Sequence, residues 1–201
     1  MDPETRHFYQ TRAEEWAAAL PHAVAPRLDR FLDLLPPGAR ILELGCGDGR
    51  DAAHMAARGF AVDATDGVES MVALASQRLA SQGLSGPARL MQFAELEAVD
   101  EYDAVWAYAA LLHVPVADLP GSIARVYRAL KPGGWHFASF KGGEGGHRDP
   151  FGRFYSYLPL ADLQAAYATQ GWESCQIESE IGGSYGAGPT PWHFLTARKP
   201  A

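Results

Sequence analysis

The sequence is poor in cysteine, in basic charge and in long apolar runs, and each shortage removes a class of protein. Cys46 and Cys175 are its two cysteines, too few for a disulfide scaffold and with nothing forcing them to pair. Lys and Arg number 17 against 24 Asp and Glu, a formal net charge of −7. That balance argues against a sequence-independent nucleic-acid binder, which needs a basic face to displace counterions, while leaving room for a local basic pocket. No apolar run approaches the roughly 20 residues of a membrane span, and the polar residues 1–7 do not read as a signal peptide. There is no repeat, no low-complexity stretch, no G-x-S-x-G elbow of an acyl hydrolase and no Cys/His cluster with metal-ligand spacing. His22, His54, His136 and His193 are scattered and read as structural. The expectation is a reduced, cytoplasmic protein with no metal, membrane or nucleic-acid partner; the oligomeric state is not legible.

What is present is an ordinary globular composition, 47% hydrophobic and 20% charged over 201 residues. That length suits one domain able to bury its own core. We read residues 1–37 as an N-terminal helical cap and 38–201 as an α/β core. Tyr9, Ala13, Trp16 and Leu20 recur at helical spacing until Pro21. Val24, Leu28, Phe31, Leu32 and Leu35 mark a second helix, which Pro36, Pro37 and Gly38 stop. From there short apolar runs alternate with amphipathic ones, predicting strands at 39–44, 60–65, 89–93, 102–108 and 135–140 and helices at 49–58, 68–79 and 119–130. A glycine-rich loop then runs through Arg153, followed by a helix near 160–167 and strands at 172–181 and 192–198. The last two are joined by too short a connection for a crossover helix, so they pair antiparallel. The fold class is a doubly wound α/β sheet of about seven strands, mainly parallel. Its carboxyl edge is where ligands bind.

The informative stretch is Glu43-Leu44-Gly45-Cys46-Gly47-Asp48-Gly49-Arg50: strand, tight glycine turn, helix. Glycines without Cβ let a ligand approach the backbone, and the helix start offers free N–H groups, so an adenosine-type cofactor is expected. The spacing is G-x-G-x-G rather than the G-x-G-x-x-G of nicotinamide enzymes, and Asp48 stands where a pyrophosphate would sit. An acid at the tip of the second strand should hold a ribose diol. Asp63 falls inside that strand; Asp66, 21 positions after Gly45 and followed by Gly67, falls at its end and is the choice.

With these residues the chain resembles the class I S-adenosylmethionine-dependent methyltransferases, closest to their small-molecule branch. The stretch from Glu43 to Arg50 looks like the family's first motif, Thr65 to Met71 its second-strand motif, Tyr102 to Trp106 its fourth-strand motif, and Ala129 to Gly134 the turn before its fifth strand. The resemblance covers about residues 8–140. It implies a Rossmann-like sheet with an antiparallel last strand and S-adenosyl-L-methionine as cofactor. Gly45, Cys46 and Gly47 then meet the methionine and ribose through backbone, and Asp66 the ribose hydroxyls. Gly67 and Met71 border the adenine, with Phe93 and Ala94 on its other side. The family often has an Asp near the end of the third strand; here Met91-Gln92-Phe93-Ala94-Glu95 stands, leaving Gln92 or backbone to serve. Glu43 either anchors the amino group indirectly or braces the loop. Tyr9 and Trp16 either cap the cofactor or serve as core contacts of their helix. No Asn-Pro-Pro-Tyr quartet follows the fourth strand, so the resemblance does not extend to enzymes that methylate adenine in nucleic acid.

Methyl transfer from a sulfonium needs alignment in a dry pocket more than acid–base help, and a general base is optional. His113, just past the fourth strand, is the catalytic candidate, weighed against a structural histidine. Lys141, Glu144, His147, Arg148, Asp149 and Tyr155 lie on or after the glycine-rich loop, which reads either as a lid or as a solvated connection. Lys141, His147, Arg148 and Tyr155, with Tyr185 on the rim, are the acceptor-side candidates, the cations suiting an anionic acceptor. The expected function is methyl transfer to a small-molecule acceptor. A nicotinamide-dependent reductase and a non-catalytic S-adenosylmethionine-binding protein are the alternatives.

Overall fold

The structure, a computed structural model, describes residues 1–19, 24–84, 86–184 and 187–201. Helix α1 (Pro3–Ala19) bends at Arg12, where φ is −126° and ψ 24°. Helix α2 (Leu28–Leu32) is only five residues long, shorter than the spacing predicts. The reason is local: the Ala25 N–H donates to the Asp51 carboxylate at 2.9 Å and Pro26 follows, so neither continues a helical ladder. Leu20, Pro21 and His22 lie outside the described residues. Then come β1 (Arg40–Leu44), α3 (Arg50–Ala57), β2 (Ala61–Asp66), α4 (Glu69–Ser81), β3 (Arg89–Leu90) and β4 (Tyr102–Ala107). They are followed by α5 (Leu119–Ala129), β5 (Leu130–Gly142), β6 (Gly145–Arg148), β7 (Phe154–Leu158), α6 (Leu160–Tyr167), β8 (Ser174–Ser184) and β9 (Ala187–Arg198).

The sheet runs β3-β2-β1-β4-β5 in parallel. Strand β9 adds antiparallel to β5, and β8 adds antiparallel to β9. This is the doubly wound, mainly parallel sheet expected from the alternating pattern, with the expected antiparallel end. Its central strands are buried on both faces: Ile41, Leu42, Ala104, Val105 and Phe140 are all 0% exposed, which is why they read as unbroken apolar runs. Trp106 stacks on Phe137 with ring centroids 4.2 Å apart.

Two departures bear on the site. Strand β3 stops at Leu90, and Phe93–Glu95 forms a 3-10 turn. More consequential, the stretch read as a glycine-rich loop or lid folds into the hairpin β6–β7, making nine strands among the described residues. Strand β5 outruns its neighbour. Its pairing with β4 ends at Ala107↔Ala138, and Lys141 and Gly142 then pair with Tyr157 and Leu158 of β7. Strand β7 thus occupies the edge that β4 leaves. The glycines there suit close packing: a Cβ on Gly146 would fall 2.6 Å from the Phe154 ring.

Candidate active site at the carboxyl edge of the sheet

A cavity of about 620 Å³ opens where β1, β2, β4 and β5 end. Its first wall is set by the turn after β1. Gly45 (φ +73°), Gly47 (φ +55°) and Gly49 (φ +77°) adopt left-handed angles that favour glycine. The N–H groups of Gly45 and Cys46 both donate to the Thr65 carbonyl at 2.8 Å, pinning the turn to β2. A Cβ on Gly45 would meet the Ala110 Cβ at 2.6 Å, so the bare backbone is required by space as well as by angle.

Asp66 closes β2 and is 7% exposed. Its Oδ2 accepts from the Gly47 N–H at 3.0 Å and its Oδ1 from the Val68 N–H at 2.9 Å. Burial lifts its pKa to about 6, against the pull of these backbone donors. Asp63, by contrast, lies inside the strand and is held by Arg40 at 2.7 Å and the Tyr102 hydroxyl at 2.9 Å. Glu43 is 3% exposed, and burial, then the charges of Asp51, Asp66 and Asp48, push its pKa well up. Its Oε2 is buried with no hydrogen-bond partner among the described residues. Such an orphan is rare in folded proteins and asks for an explanation. Asp48 is different: Arg50 donates to both its oxygens at 2.9 Å and Arg78 at 2.6 Å. Burial alone would raise its pKa, but these cations bring it below the usual range.

The opposite wall gathers polar groups from α1, the 3-10 turn Leu111–His113, β5 and β7. His113 is 5% exposed. Its Nδ1 lies 2.6 Å from the Phe154 carbonyl and its Nε2 3.2 Å from the Tyr9 hydroxyl. The neutral tautomer that satisfies both carries its proton on Nδ1 and accepts from Tyr9 through Nε2. Burial holds this ring neutral, with a pKa of about 4. The Tyr9 oxygen in turn accepts from Arg153 Nη1 at 3.3 Å. Arg153 is 1% exposed and ion-paired with Asp149 at 2.5 Å. Lys141, also 1% exposed, sets its Nζ 3.5 Å from the centre of the Tyr155 ring. Burial, and then the charge of Arg153, lower its pKa to about 8.

Of the residues singled out in the sequence, Tyr9, Trp16, Glu43, Gly45, Cys46, Gly47 and Asp66 stand on the cavity wall. So do Met71, Phe93, His113, Lys141 and Tyr155. Gly67 and Ala94 are not on it. The Gly67 carbonyl is taken by the Gln92 side chain at 2.7 Å, Gln92 is not on the wall either, and Ala94 sits exposed on its turn. His147 and Arg148 are not brought there either, because β6 is the outer strand of the hairpin. His147 donates from Nε2 to the Glu144 carbonyl at 2.7 Å, and Arg148 pairs with Asp2 at 2.8 Å. The structure presents no uncommitted ring nitrogen on His113. Tyr185 lies outside the described residues. Sequence reasoning missed Asp51, Tyr108, Arg153 and Trp192 as wall residues. Asp51 accepts from Trp106 Nε1 at 3.0 Å; an acid between the glycine turn and the apolar run Ala52-Ala53 was a usable signal. Arg153 and Trp192 reach the cavity only through tertiary pairing.

The comparisons with known proteins agree with this architecture. Residues 41–134 match the family model described as a methyltransferase domain. A ubiquinone biosynthesis O-methyltransferase of Thiobacillus denitrificans is 34% identical over 122 residues, 59% of this chain and 52% of that protein. The chain spans about half the length of the curated relatives it matches. A solved 1,6-didemethyltoxoflavin-N1-methyltransferase of Burkholderia thailandensis, with 1,6-didemethyltoxoflavin and S-adenosylhomocysteine bound, superposes with a TM-score of 0.79 at 19% identity, over 98% of this chain and 88% of that one. The [4+2]-cyclase SpnF superposes with a TM-score of 0.78 at 22% identity, over 100% of this chain and 98% of that one. Among the described residues no helix is long and apolar enough to cross a membrane. Residues 41–134 thus match a methyltransferase domain, and the sheet built around the glycine turn has the fold of the solved proteins on which it superposes.

Proposed function

We propose that the protein transfers a methyl group from S-adenosyl-L-methionine to a small-molecule acceptor. One observation carries the reading: two buried carboxyl groups, Asp66 and the half-orphaned Glu43, border a turn whose glycines leave the main chain bare. That combination fits the cofactor's donor-rich, positively charged parts. Asp66 accepts from the two ribose hydroxyls, a charge-assisted pair of bonds. Gly45, Cys46 and Gly47 offer backbone to the methionine and ribose, and Glu43 answers the amino group. Met71 and Phe93 flank the adenine, while Tyr9 and Trp16, whose rings meet edge-on at 5.6 Å, cover the cofactor from α1.

The cofactor supplies a methyl group already activated on sulfur. The chain's own task is therefore to align the acceptor and exclude water. His113, with both nitrogens engaged, is a positioning residue: it ties Tyr9 of α1 to the start of β7. In this reading residues 1–37 cap a core formed by 38–201, and the enzyme works in the cytoplasm without nucleic acid or membrane.

Isothermal titration should show S-adenosylhomocysteine binding, lost in Asp66→Ala. Incubation with methyl-labelled cofactor and pools of hydroxy, amino and thiol compounds should transfer label. Cofactor affinity that survives Asp66→Ala would remove this assignment. A second reading, non-methylating use of the bound cofactor, is supported by the engaged His113 and by a fold shared with a protein named as a cyclase. Binding with no label transferred to any pool would favour it.

A further inference from the structure

We propose that the wall facing the glycine turn is an anion site, in which the Lys141 ammonium holds a flat, conjugated ligand bearing one ionised oxygen. The proposal deepens the methyl-transfer reading and rests on it for the ligand's role as acceptor. Lys141 is at the overhanging end of β5, on the cavity wall and 1% exposed. Three rings surround its Nζ: Tyr155 at 3.5 Å, Tyr157 at 5.6 Å and Trp192 at 5.9 Å. Cation–π attraction holds the ammonium in place but does not neutralise it. A buried charge without a counter-charge is costly.

The protein does not provide that counter-charge. Among the described residues none hydrogen-bonds or ion-pairs with Lys141 Nζ, and the undescribed ones include no Asp or Glu. From β7 and its approach, Asp149 is spent on Arg153, and burial keeps the Tyr155 and Tyr157 hydroxyls protonated. His113 is neutral. From β9, His193 is bonded to Ser179 and to the Leu158 carbonyl. The charge of Arg153 works against the Lys141 ammonium and that of Asp149 favours it. With Arg153 and Asp149 cancelling, one positive charge is left over. A monoanion balances it, whereas a dianion such as a phosphate monoester would leave a buried negative charge. Tyr108, Tyr155 and Trp192 all line the cavity, and so aromatic a lining favours a flat partner.

An ionised phenol and an aromatic carboxylate share this chemistry. Three probes separate them: 4-nitrophenol, whose ionised form has its own absorption band, 4-nitrobenzoate, and neutral 4-nitroanisole. Wild-type protein should bind at least one of the anions about tenfold or more tightly over 4-nitroanisole, the scale of one hydrogen bond to a charged group. Bound 4-nitrophenol should ionise at lower pH than in buffer if the phenolate is the form held. Lys141→Met should abolish the preference and Lys141→Arg retain most of it. Equal binding of all three probes by wild type, or a preference that persists in Lys141→Met, overturns the proposal. If Lys141→Met does not fold, the wild-type comparison of charged and neutral probes decides alone. Titration of S-adenosylhomocysteine into wild type is read separately: its failure defeats the methyl-transfer reading, while the nitro probes still judge the anion site.

Discussion

Two walls face each other across the cavity, and they are assembled differently. Glu43 and Asp66 lie on two adjacent parallel strands, Leu44 being registered with Thr65, and Gly45 and Gly47 on the turn that follows the first, all within a short stretch of chain. Tyr9, His113, Lys141, Arg153 and Tyr155 come from α1, a turn after β4, β5 and the hairpin. The first wall is carboxyl-rich and keeps an orphan acceptor; the second is aromatic and keeps an unpaired cation. A local turn can only adopt one geometry, so the first wall is suited to a constant ligand. A wall pooled from separate segments can be retuned piece by piece, which suits a ligand that differs between enzymes.

The contrast can be broken most sharply at Asp66. Losing two charge-assisted hydrogen bonds, each worth about 1.5–3 kcal/mol, should weaken S-adenosylhomocysteine binding about 10²–10⁴-fold in Asp66→Ala. Calorimetric titration reads this, with circular dichroism to check folding; a loss below tenfold would mean that the first wall does not grip the cofactor. Next comes His113→Gln, which breaks a bond across three segments. It should cost about 1–3 kcal/mol in urea unfolding yet leave the pH profile of turnover in place. A profile that loses a limb would instead make the imidazole a proton carrier.

A smaller effect concerns pH. Asp66 has its folded pKa raised to about 6, above the ordinary carboxylate value of about 3.9. The folded chain therefore holds more protons than the unfolded one between these values. Its own contribution to stability falls as pH rises through that window. In the proposed reading cofactor affinity moves the other way, since the ionised form would accept both ribose hydroxyls: it should weaken below about pH 6, by up to about tenfold per unit, and Asp66→Asn should flatten the dependence. Smallest of all, Arg148→Ala removes the exposed pairing with Asp2 and Glu4 and one bond to the Gly152 carbonyl. Cofactor affinity should not change, and a slight drop in Tm at low salt should vanish at high salt.

The first wall was legible because its chemistry is written in consecutive residues. A strand, three alternating glycines and an acid at the next strand's tip specify the turn, and the choice of Asp66 over Asp63 followed from position in the strand alone. The second wall was legible only in part. Lys141 and Tyr155 were reached by their place after the fifth strand, but His147 and Arg148 carried the same signal and face away. What separates them is the pairing of β7, not β6, with the end of β5, a long-range fact with no local periodicity. The glycines that read as a flexible connection are there to let strands approach, and glycine content alone cannot tell the two uses apart. Gln92 is likewise placed by long-range contacts: its side chain donates to the Gly67 carbonyl and accepts from the Met1 amino group.

The overhang of β5 beyond β4 also defines a seam. The hairpin that fills it is continuous in sequence, joins the sheet through Tyr157 and Leu158, and carries Tyr155 to the cavity with Arg153 just ahead of it. Residues 143–158 thus form a cassette: swapping them for a differently lined hairpin redraws one face of the chamber and leaves the glycine turn and Asp66 in place.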